Sequence, residues 1–369
     1  MRILVTGAKG FLGKNLVADL RASGYDEIYE YDLDTKKALL DDYCKSCEFV
    51  FHLAGVNRPK NDDEFMKGNF GFTSELLETL KKHDNKAPIV LTSSIQALRD
   101  NPYGLSKKAG ENLLFDYGKE NNSKVYIYRL NNLFGKWSKP NYNTVVATFC
   151  YNISRDLEIR VDNPEALLTL NYVDDVVSEF KNALVSNPSR DGEFCIVNNA
   201  FEVKVGRIVE LLETFKESRK TLQVPNMCNV FEKDLYSTYL SFLPSDQFAY
   251  DLKMNADNRG SFTEVLRTPE RGQVSINISK PNITKGNHWH HTKNEKFLVV
   301  SGKGVIRFRN PYEETIIEYK VSSDRLRVVD IPTGYTHSIV NTGDKDMVTL
   351  MWANECFNPE KPDTYYLGV

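Results

Sequence analysis

The first thirteen residues hold the feature that most restricts how this chain can fold. A run rich in β-branched residues, RILVT, leads into Gly7, and glycines recur at positions 10 and 13, where an amphipathic stretch begins. Glycines at this spacing let the backbone turn sharply from a strand into a helix and bring its N–H groups close to a pyrophosphate. The segment therefore predicts the first strand, turn and helix of an α/β domain with a nucleotide site.

Two different patterns of secondary structure follow along the chain. Up to about residue 200, short apolar runs such as PIVLTSS alternate with amphipathic stretches such as KKAGENLLFDYGKE, which predicts a mostly parallel sheet covered by helices on both faces. After about residue 250 the strands are short and separated by Gly, Pro and Asn turns, as in antiparallel sandwiches and barrels. We therefore expect an α/β domain over 1–250 and an all-β domain over 251–369.

Composition excludes several classes of partner. The net charge is −3 with both signs interspersed, so no basic field is present to hold a nucleic acid. No apolar run approaches the roughly 20 residues of a membrane span, and the N-terminus lacks a signal-peptide cleavage site. The six cysteines are irregularly spaced, and the lone CxxC of Cys44 and Cys47 has no second pair to complete a zinc site. We expect a cytoplasmic protein without membrane insertion, in which these two cysteines serve packing.

Candidate cofactor contacts extend beyond the glycines. Asp32 follows the second predicted strand at about the distance where a carboxylate accepts the ribose hydroxyls of NAD, although a solvated turn residue is the alternative. Lys36 and Lys37 could instead meet the 2′-phosphate of NADP, so both cofactors stay open. Small residues after the third strand give the cofactor room to pass. The predicted cofactor set is Gly7, Gly10, Phe11, Leu12, Gly13, Asp32, Leu53, Ala54 and Gly55.

A tyrosine and a lysine four residues apart point to proton transfer. On a helix, Tyr103 and Lys107 share one face, so the ammonium lies beside the phenol. A nearby cation lowers the pKa of a phenol, which then exchanges a proton with a sugar hydroxyl or ketone near neutral pH. Ser94, at the end of the preceding predicted strand, can hold the same oxygen.

These motifs resemble the extended short-chain dehydrogenase/reductase family, whose members act on nucleotide sugars. The likeness covers about residues 1–245 and includes the segments RLNNLFG and NYVDDVV. It implies a Rossmann-type doubly wound parallel sheet and places Asn132 near the substrate, with a loop-capping role as the alternative. It also implies the catalytic set Ser94, Tyr103 and Lys107.

One departure from the family pattern narrows the reaction. Dehydratases of this family tend to carry Asp-Glu directly after the catalytic Ser or Thr, to protonate the leaving hydroxyl and remove a ring proton. Here Ile95 and Gln96 occupy those positions. Dehydration is therefore disfavoured.

The second domain contains a predicted metal site. His288 and His290 are separated by one residue, so on a strand they point to the same face, and Glu295 and His337 can complete the site from other strands. Three imidazoles and a carboxylate suit Zn, Fe, Mn or Ni, and zinc is the first choice. His291 is expected to point away.

This spacing resembles the two cupin motifs, G(x)5HxH(x)4E(x)6G and PxG(x)2H(x)3N, except that the glycine before His288 is not at its usual position. The resemblance implies an all-β cupin barrel with the metal ligands His288, His290, Glu295 and His337. A cupin whose ligand set stands empty is the alternative. Since many cupins bind without reacting, catalysis at the metal stays open.

A short segment upstream points to sugar chemistry. Residues 257–262, DNRGSF, resemble the DxRGxF segment of cupin-type 4-keto-6-deoxysugar epimerases, in which Arg259 would face a charged substrate group. A surface turn is the alternative. Those epimerases usually work without a metal, so the residue that moves the proton in this domain is left unassigned.

The order of the two domains resembles bifunctional enzymes of capsular polysaccharide synthesis. That likeness implies a UDP-linked 4-keto-6-deoxy-N-acetylhexosamine substrate, C3 epimerisation in the cupin and NADPH-dependent C4 reduction in the first domain. It further implies a UDP-N-acetyl-talosamine-type product on the way to N-acetylfucosamine, and a homodimer. Because the proton beside a ketone is acidic only while the ketone persists, epimerisation must precede reduction.

Two other functions agree with the same motifs. One is a nicotinamide-dependent 4-epimerase that oxidises and re-reduces C4 without net redox change, with a cupin that only dimerises. The other is a non-catalytic sugar-binding scaffold. Consumption of NADPH separates the first alternative from a reductase.

Overall fold

The computed structural model describes residues 1–142 and 144–369, and these form two compact units. One unit comprises Met1–Glu213 with Cys228–Pro244, and the other comprises Thr214–Met227 with Ser245–Val369. Residues 222–224 pair with the strand that contains Arg267, which belongs to the second unit. Val224 N–H donates to the Arg267 carbonyl, and Arg267 N–H donates to the Leu222 carbonyl.

The first unit is built on a seven-stranded sheet and a three-stranded sheet. Its strands, in chain order, are β1 Ile3–Thr6, β2 Ile28–Tyr31, β3 Phe49–His52, β4 Ile89–Ser94, β5 Val125–Leu130, β6 Asn132–Phe134, β7 Leu167–Tyr172, β8 Arg190–Asp191, β9 Phe194–Cys195 and β10 Phe201–Lys204. The large sheet has the order β2-β1-β3-β4-β5-β9-β8, and the small sheet has the order β10-β7-β6.

Helices connect these strands. They are α1 Phe11–Ala22, α2 Ala38–Ser46, α3 Asp63–Phe65, α4 Phe72–Lys82, α5 Pro102–Asn121, α6 Val145–Ile153, α7 Val173–Leu184, α8 Val205–Thr221 and α9 Val230–Ser241. A π-helical segment, Met66–Gly71, joins α3 to α4, and 3-10 turns occupy Ile95–Leu98 and Ser245–Gln247. Within the described residues, no helix combines the length and the apolar character needed to cross a bilayer.

The large sheet is parallel from β2 to β9, with β8 alone antiparallel, and it is buried on both faces. Ile3 and Val5 enter one core with residues of α1 and α7, while Leu4 enters the opposite core with residues of α2 and α4. In the sheet, β1 lies between β2 and β3. The connection after β1 runs to β2 on one side, and the connection after β2 returns across β1 to β3 on the other side. The carboxyl end of β1 therefore opens into the crevice where such sheets bind nucleotides. The predicted doubly wound α/β domain is confirmed.

The second unit consists of antiparallel strands around its own core. They are β11 Met254–Asp257, β12 Gly260–Thr268, β13 Gly272–Ser279, β14 Thr284–Trp289, β15 Glu295–Ser301, β16 Lys303–Arg309, β17 Ile316–Ser322, β18 Val328–Ile331, β19 Thr336–Asn341, β20 Met347–Ala353 and β21 Tyr365–Tyr366. One sheet has the order β11-β12-β13-β20-β15-β18 and the other β17-β16-β19-β14-β21. Phe297, Ile306 and Ile339 lie in the core of this unit. The predicted all-β domain is confirmed.

Candidate active site and candidate metal centre

The glycine turn after β1 has the backbone geometry that only glycine accepts at two positions. Gly7 has φ +70°, and a Cβ there would lie 2.7 Å from the Ala54 nitrogen. A Cβ at Gly13 would collide with the Gly7 carbonyl oxygen. Gly10 caps α1 without any side-chain acceptor, and the helix begins at Phe11 and Leu12. The glycines therefore leave open space at a helix N-terminus whose N–H groups have no side-chain acceptor. Such a site fits a pyrophosphate.

Asp32 lies directly after β2 and is tied to the glycine turn. Its Oδ2 accepts a hydrogen bond from Lys9 N–H at 2.7 Å, and its Oδ1 accepts one from Leu33 N–H at 2.8 Å. Lys36 and Lys37 are exposed just before α2. Asp32 therefore lies against the turn, Lys36 and Lys37 are exposed further along the chain, and the choice between the two cofactors stays open.

Residues 53–55 connect the nucleotide crevice to the predicted catalytic residues. Leu53 N–H donates to the Thr6 carbonyl at 3.1 Å, which locks this loop against the end of β1. Gly55 lies so close to the catalytic helix that a Cβ there would be 3.0 Å from Lys107 Nζ and 2.9 Å from Asn69 Oδ1. The loop after β3 and the helix α5 that carries Tyr103 and Lys107 therefore meet at Gly55.

The structure brings Ser94, Tyr103 and Lys107 together. Lys107 Nζ lies 5.9 Å from the centroid of the Tyr103 ring and donates to the Thr92 carbonyl at 3.1 Å. Ser94 ends β4 and accepts a hydrogen bond from Gln96 N–H. The start of α5 packs closely on the turn that follows, because a Cβ at Gly104 would collide with backbone oxygens there.

The protonation of this group differs from the sequence-based expectation. Burial raises the pKa of the Tyr103 phenol, and an interaction with the Ser94 side chain lowers it by less. Burial also lowers the pKa of Lys107 to about 8, opposed by the charge of Glu111. The expected lowering of the phenol's pKa is wrong here, because burial against neighbours such as Phe65, whose ring is 5.4 Å away, raises it.

Asn57 and Asn69 belong to this site and were not predicted. The Tyr103 hydroxyl donates to Asn57 Oδ1 at 3.0 Å. Buried Asn69 lies in the π-helical segment, donates to the Ser106 hydroxyl at 2.9 Å and accepts from Val56 N–H at 2.8 Å. It thereby joins the loop after β3 to the catalytic helix. A π-helical insertion has no characteristic period in the sequence, so the role of Asn69 could not be predicted from the sequence.

A buried ion pair lies behind Lys107. Glu111, one helical turn after Lys107, is 1% exposed and accepts two hydrogen bonds from the Arg129 guanidinium, at 2.9 and 2.6 Å. Ser93 donates a further hydrogen bond to the same carboxylate. In the sequence, this ion pair could have been recognised from a glutamate on the buried face of an amphipathic helix.

Asn132 stands apart from this group. It begins β6, is exposed, and donates to the Thr169 carbonyl at 3.3 Å on β7. That bond satisfies its amide locally, so its predicted role beside the substrate stays a prediction.

The four predicted metal ligands converge in the second unit. One ligand atom from each of His288, His290, Glu295 and His337 lies within 4.8 Å of the others. His288 on β14 pairs directly with His337 on β19, and Glu295 begins β15. Glu295 Oε2 is 3.4 Å from His290 Nε2 and 3.3 Å from His337 Nε2.

The cluster has the properties of a site that holds a cation. His290 Nε2, Glu295 Oε2 and both ring nitrogens of His337 are buried and make no hydrogen bond. Leaving such atoms unpaired costs about 1–3 kcal/mol each, a cost that coordination removes. Burial and the other two imidazoles lower the pKa of His288 to about 4, so it is neutral at pH 7. Burial raises the pKa of Glu295, but His290 and His337 lower it further, to about 2. A carboxylate with imidazole nitrogens is a donor set that zinc takes.

A cavity of about 670 Å³ opens onto this cluster. Besides three of the ligands, its wall includes Asp257, Arg259 and Lys285. The Arg259 guanidinium pairs with Asp257 at 2.7 Å, and Lys285 Nζ donates to Asn277 Oδ1 at 2.8 Å. The predicted substrate arginine and the predicted metal ligands therefore share one cavity, with positive charge in its wall.

The comparisons with known proteins cover both units. Residues 3–193 match the NAD dependent epimerase/dehydratase family, and residues 255–365 match the polysaccharide biosynthesis C-terminal domain. A Pseudomonas aeruginosa protein named UDP-2-acetamido-2,6-beta-L-arabino-hexul-4-ose reductase is 44% identical over 369 residues, which is 100% of this chain and 99% of that protein.

Solved structures also match this chain over its full length. The capsular polysaccharide assembling protein CapF from Staphylococcus aureus is 58% identical with a TM-score of 0.95, and a structure of CapF with the inhibitor 3-isopropenyl-tropolone is 54% identical with a TM-score of 0.91. Each match covers 100% of both chains. The predicted likeness to capsular polysaccharide enzymes is confirmed. The chain belongs to the NAD dependent epimerase/dehydratase family, and it is an enzyme that works with a nicotinamide cofactor.

Proposed function

We propose that this enzyme reduces the C4 keto group of a UDP-linked 4-keto-6-deoxy-N-acetylhexosamine with NADPH, after its C-terminal cupin has epimerised C3. The product is of the UDP-N-acetyl-talosamine type and leads to N-acetylfucosamine for capsular polysaccharide. The observation that carries the proposal is the grouping of Ser94, Tyr103 and Lys107 at Gly55, beside the glycine turn. The name of the P. aeruginosa relative supports the choice of a keto sugar.

Reduction of a ketone needs a hydride at carbon and a proton at oxygen. The nicotinamide supplies the hydride when bound. The Tyr103 phenol, whose raised pKa keeps it protonated at pH 7, donates the proton to the C4 oxygen, which takes the place of Asn57 Oδ1 as its acceptor. The Lys107 ammonium then stabilises the phenolate, and the Ser94 hydroxyl holds the sugar oxygen.

We assign NADPH as the preferred cofactor from the edge beside β2. Both oxygens of Asp32 already accept backbone N–H groups, which leaves less capacity for the two ribose hydroxyls of NAD. Lys36 and Lys37 are exposed cations suited to a 2′-phosphate.

Epimerisation is assigned to the cavity of the second unit. His288, His290, Glu295 and His337 would hold zinc, and a bound zinc ion polarises a carbonyl oxygen so that the neighbouring proton becomes more acidic. Arg259 in the cavity wall is placed to meet the negative charge of the UDP phosphates.

A homodimer is also part of the proposal. Ile316, Ile317 and Tyr319 on β17 are all exposed at 41–50%, and Leu326 and Val328 are exposed further along the chain. Exposed apolar side chains such as these would favour contact with a second protein surface. Light scattering on the purified protein tests this, and a monomer at micromolar concentration would contradict it.

One experiment tests both reactions. The enzyme is incubated with the UDP-4-keto sugar and NADPH in D2O, the loss of NADPH is followed by absorbance, and the product is analysed by mass spectrometry. We expect one NADPH consumed per sugar and one carbon-bound deuterium from solvent. Absence of NADPH loss would contradict the reductase, and a reduced product without deuterium would contradict epimerisation.

A further inference from the structure

We propose that Asp363, within the C-terminal segment 362–369, positions the ligand His290 and determines how tightly the second unit holds its metal. This inference rests on the metal site of the proposed function. It assigns a role to residues that are more than 70 positions away from His290 in the chain.

The carboxylate of Asp363 fixes the turn that follows His290. Oδ1 accepts a hydrogen bond from His291 N–H at 2.9 Å. Oδ2 accepts from Thr292 N–H at 2.9 Å and from Lys293 N–H at 2.8 Å. Three successive N–H groups are thus bound by one side chain, so the backbone leaving His290 has a single conformation.

The backbone of Asp363 fixes the ring of His290. Asp363 has φ +41°, in the left-handed region that Asp tolerates better than most residues, and its carbonyl oxygen lies 2.5 Å from His290 Nδ1. A carbonyl only accepts, so Nδ1 carries the proton and Nε2 keeps its lone pair. Nε2 is the atom that faces Glu295 Oε2. Asp363 therefore selects both the orientation and the tautomer that a metal ligand needs.

The rest of the segment is held along the ligand strand. β21 pairs antiparallel with β14, with Tyr366 opposite His288 and Tyr365 opposite Trp289. The rings of Tyr365 and Trp289 stack at 4.9 Å. Leu367 N–H donates to the Asn287 carbonyl at 2.9 Å. These contacts keep Asp363 in register with the turn after His290.

The test compares substitutions within this one segment of the full-length protein. Asp363→Ala removes the carboxylate, and Asp363→Asn keeps the side-chain shape and one acceptor oxygen. Tyr366→Ala is the matched control, because that side chain is 83% exposed and its strand pairing uses only the backbone. The zinc dissociation constant of each protein is measured by competition with a chromophoric chelator, and the visible spectrum is recorded with Co²⁺ in place of zinc.

We expect one zinc ion per wild-type chain, zinc binding about 10–100-fold weaker in Asp363→Ala, a smaller loss in Asp363→Asn and no change in Tyr366→Ala. The Co²⁺ spectrum should change only in the Asp363 variants, which a purely structural role would not produce. Thermal unfolding without metal identifies a variant that fails to fold, in which case Asp363→Asn against Tyr366→Ala carries the test.

Two results would overturn the inference in distinguishable ways. Wild-type protein that takes up no zinc or Co²⁺ would refute the metal site of the proposed function itself. Wild-type protein that binds zinc, together with Asp363 variants of equal affinity and unchanged Co²⁺ spectra, would refute the role of Asp363 alone.

Discussion

Replacing Glu111 by glutamine perturbs the ion pair behind Lys107, the proposed catalytic lysine, while keeping the side-chain shape. Glu111 is 1% exposed and binds Arg129 through two hydrogen bonds, and it also raises the pKa of Lys107 against the effect of burial. The substitution leaves the guanidinium without its counter-charge. It should therefore change both the stability of the first unit and the pH dependence of reduction.

The stability change follows from the burial of the two partners. Breaking a buried ion pair by removing one partner costs about 3–5 kcal/mol. The Arg129 side chain keeps 23% of its exposure, so water offsets part of this, and we expect the free energy of unfolding to fall by about 2–4 kcal/mol. The control is Glu120→Gln on the same helix, where the pair with Lys81 is exposed and worth about 0–1 kcal/mol. Calorimetry of the two variants measures the difference.

The second measurement is the decline of the reduction rate at alkaline pH, which is the alkaline limb of the pH profile. Lys107 has a pKa of about 8, and without the charge of Glu111 that pKa falls, so the ammonium is lost at lower pH. The rate of NADPH oxidation should therefore decline at lower pH in Glu111→Gln than in the wild type or in Glu120→Gln. Equal stability of the two variants, together with an unmoved alkaline limb, would refute this account of the ion pair.

Other predictions concern the phenol, the glycine turn, the buried thiols and the metal. Tyr103→Phe should stop reduction of the keto sugar while solvent deuterium still enters it, as mass spectrometry in D2O would show; continued reduction would rule out the assigned proton donor. Gly13→Ala should abolish NADPH binding in a fluorescence titration, and Gly10→Ala, whose Cβ would stay 3.1 Å from the Gly7 oxygen, should weaken it less. Burial raises the pKa of Cys44 to about 12 and of Cys47 to about 11, so neither thiol should react with iodoacetamide at neutral pH until the protein is denatured. Chelation of the metal should stop deuterium uptake from the solvent, and uptake that persists in metal-free protein would contradict a metal-dependent epimerisation.

Local patterns predicted the elements of this enzyme because each pattern has a short-range physical cause. Gly7 and Gly13 are readable because backbone geometry alone requires them, and Tyr103 and Lys107 are readable because helical spacing places them together. The alternation of strands and helices fixes the class of the first unit for the same reason. The histidine spacing likewise predicts a cluster because β-strands present alternate residues to one face.

Contacts between residues far apart in the chain, and the effect of burial on pKa values, could not be predicted from the sequence. The contact between Asp363 and His290 joins residues 73 apart, and no spacing rule links them. Asn69 acts from a π-helical segment that has no sequence period. The pKa of Tyr103 depends on how deeply the fold buries it, which reverses the direction expected from its lysine alone.

That reversal bears on the direction of the chemistry. A phenol with a lowered pKa would serve as a base that removes a proton from a sugar hydroxyl, which is the oxidative reaction. Burial instead raises the pKa of Tyr103, so at neutral pH the phenol carries the proton that reduction of a ketone requires. Since the C3 proton is acidic only while C4 is a ketone, reduction at this phenol also ends any exchange at C3. In the proposed function, consumption of NADPH in this reduction therefore fixes the C3 configuration that the preceding epimerisation has set.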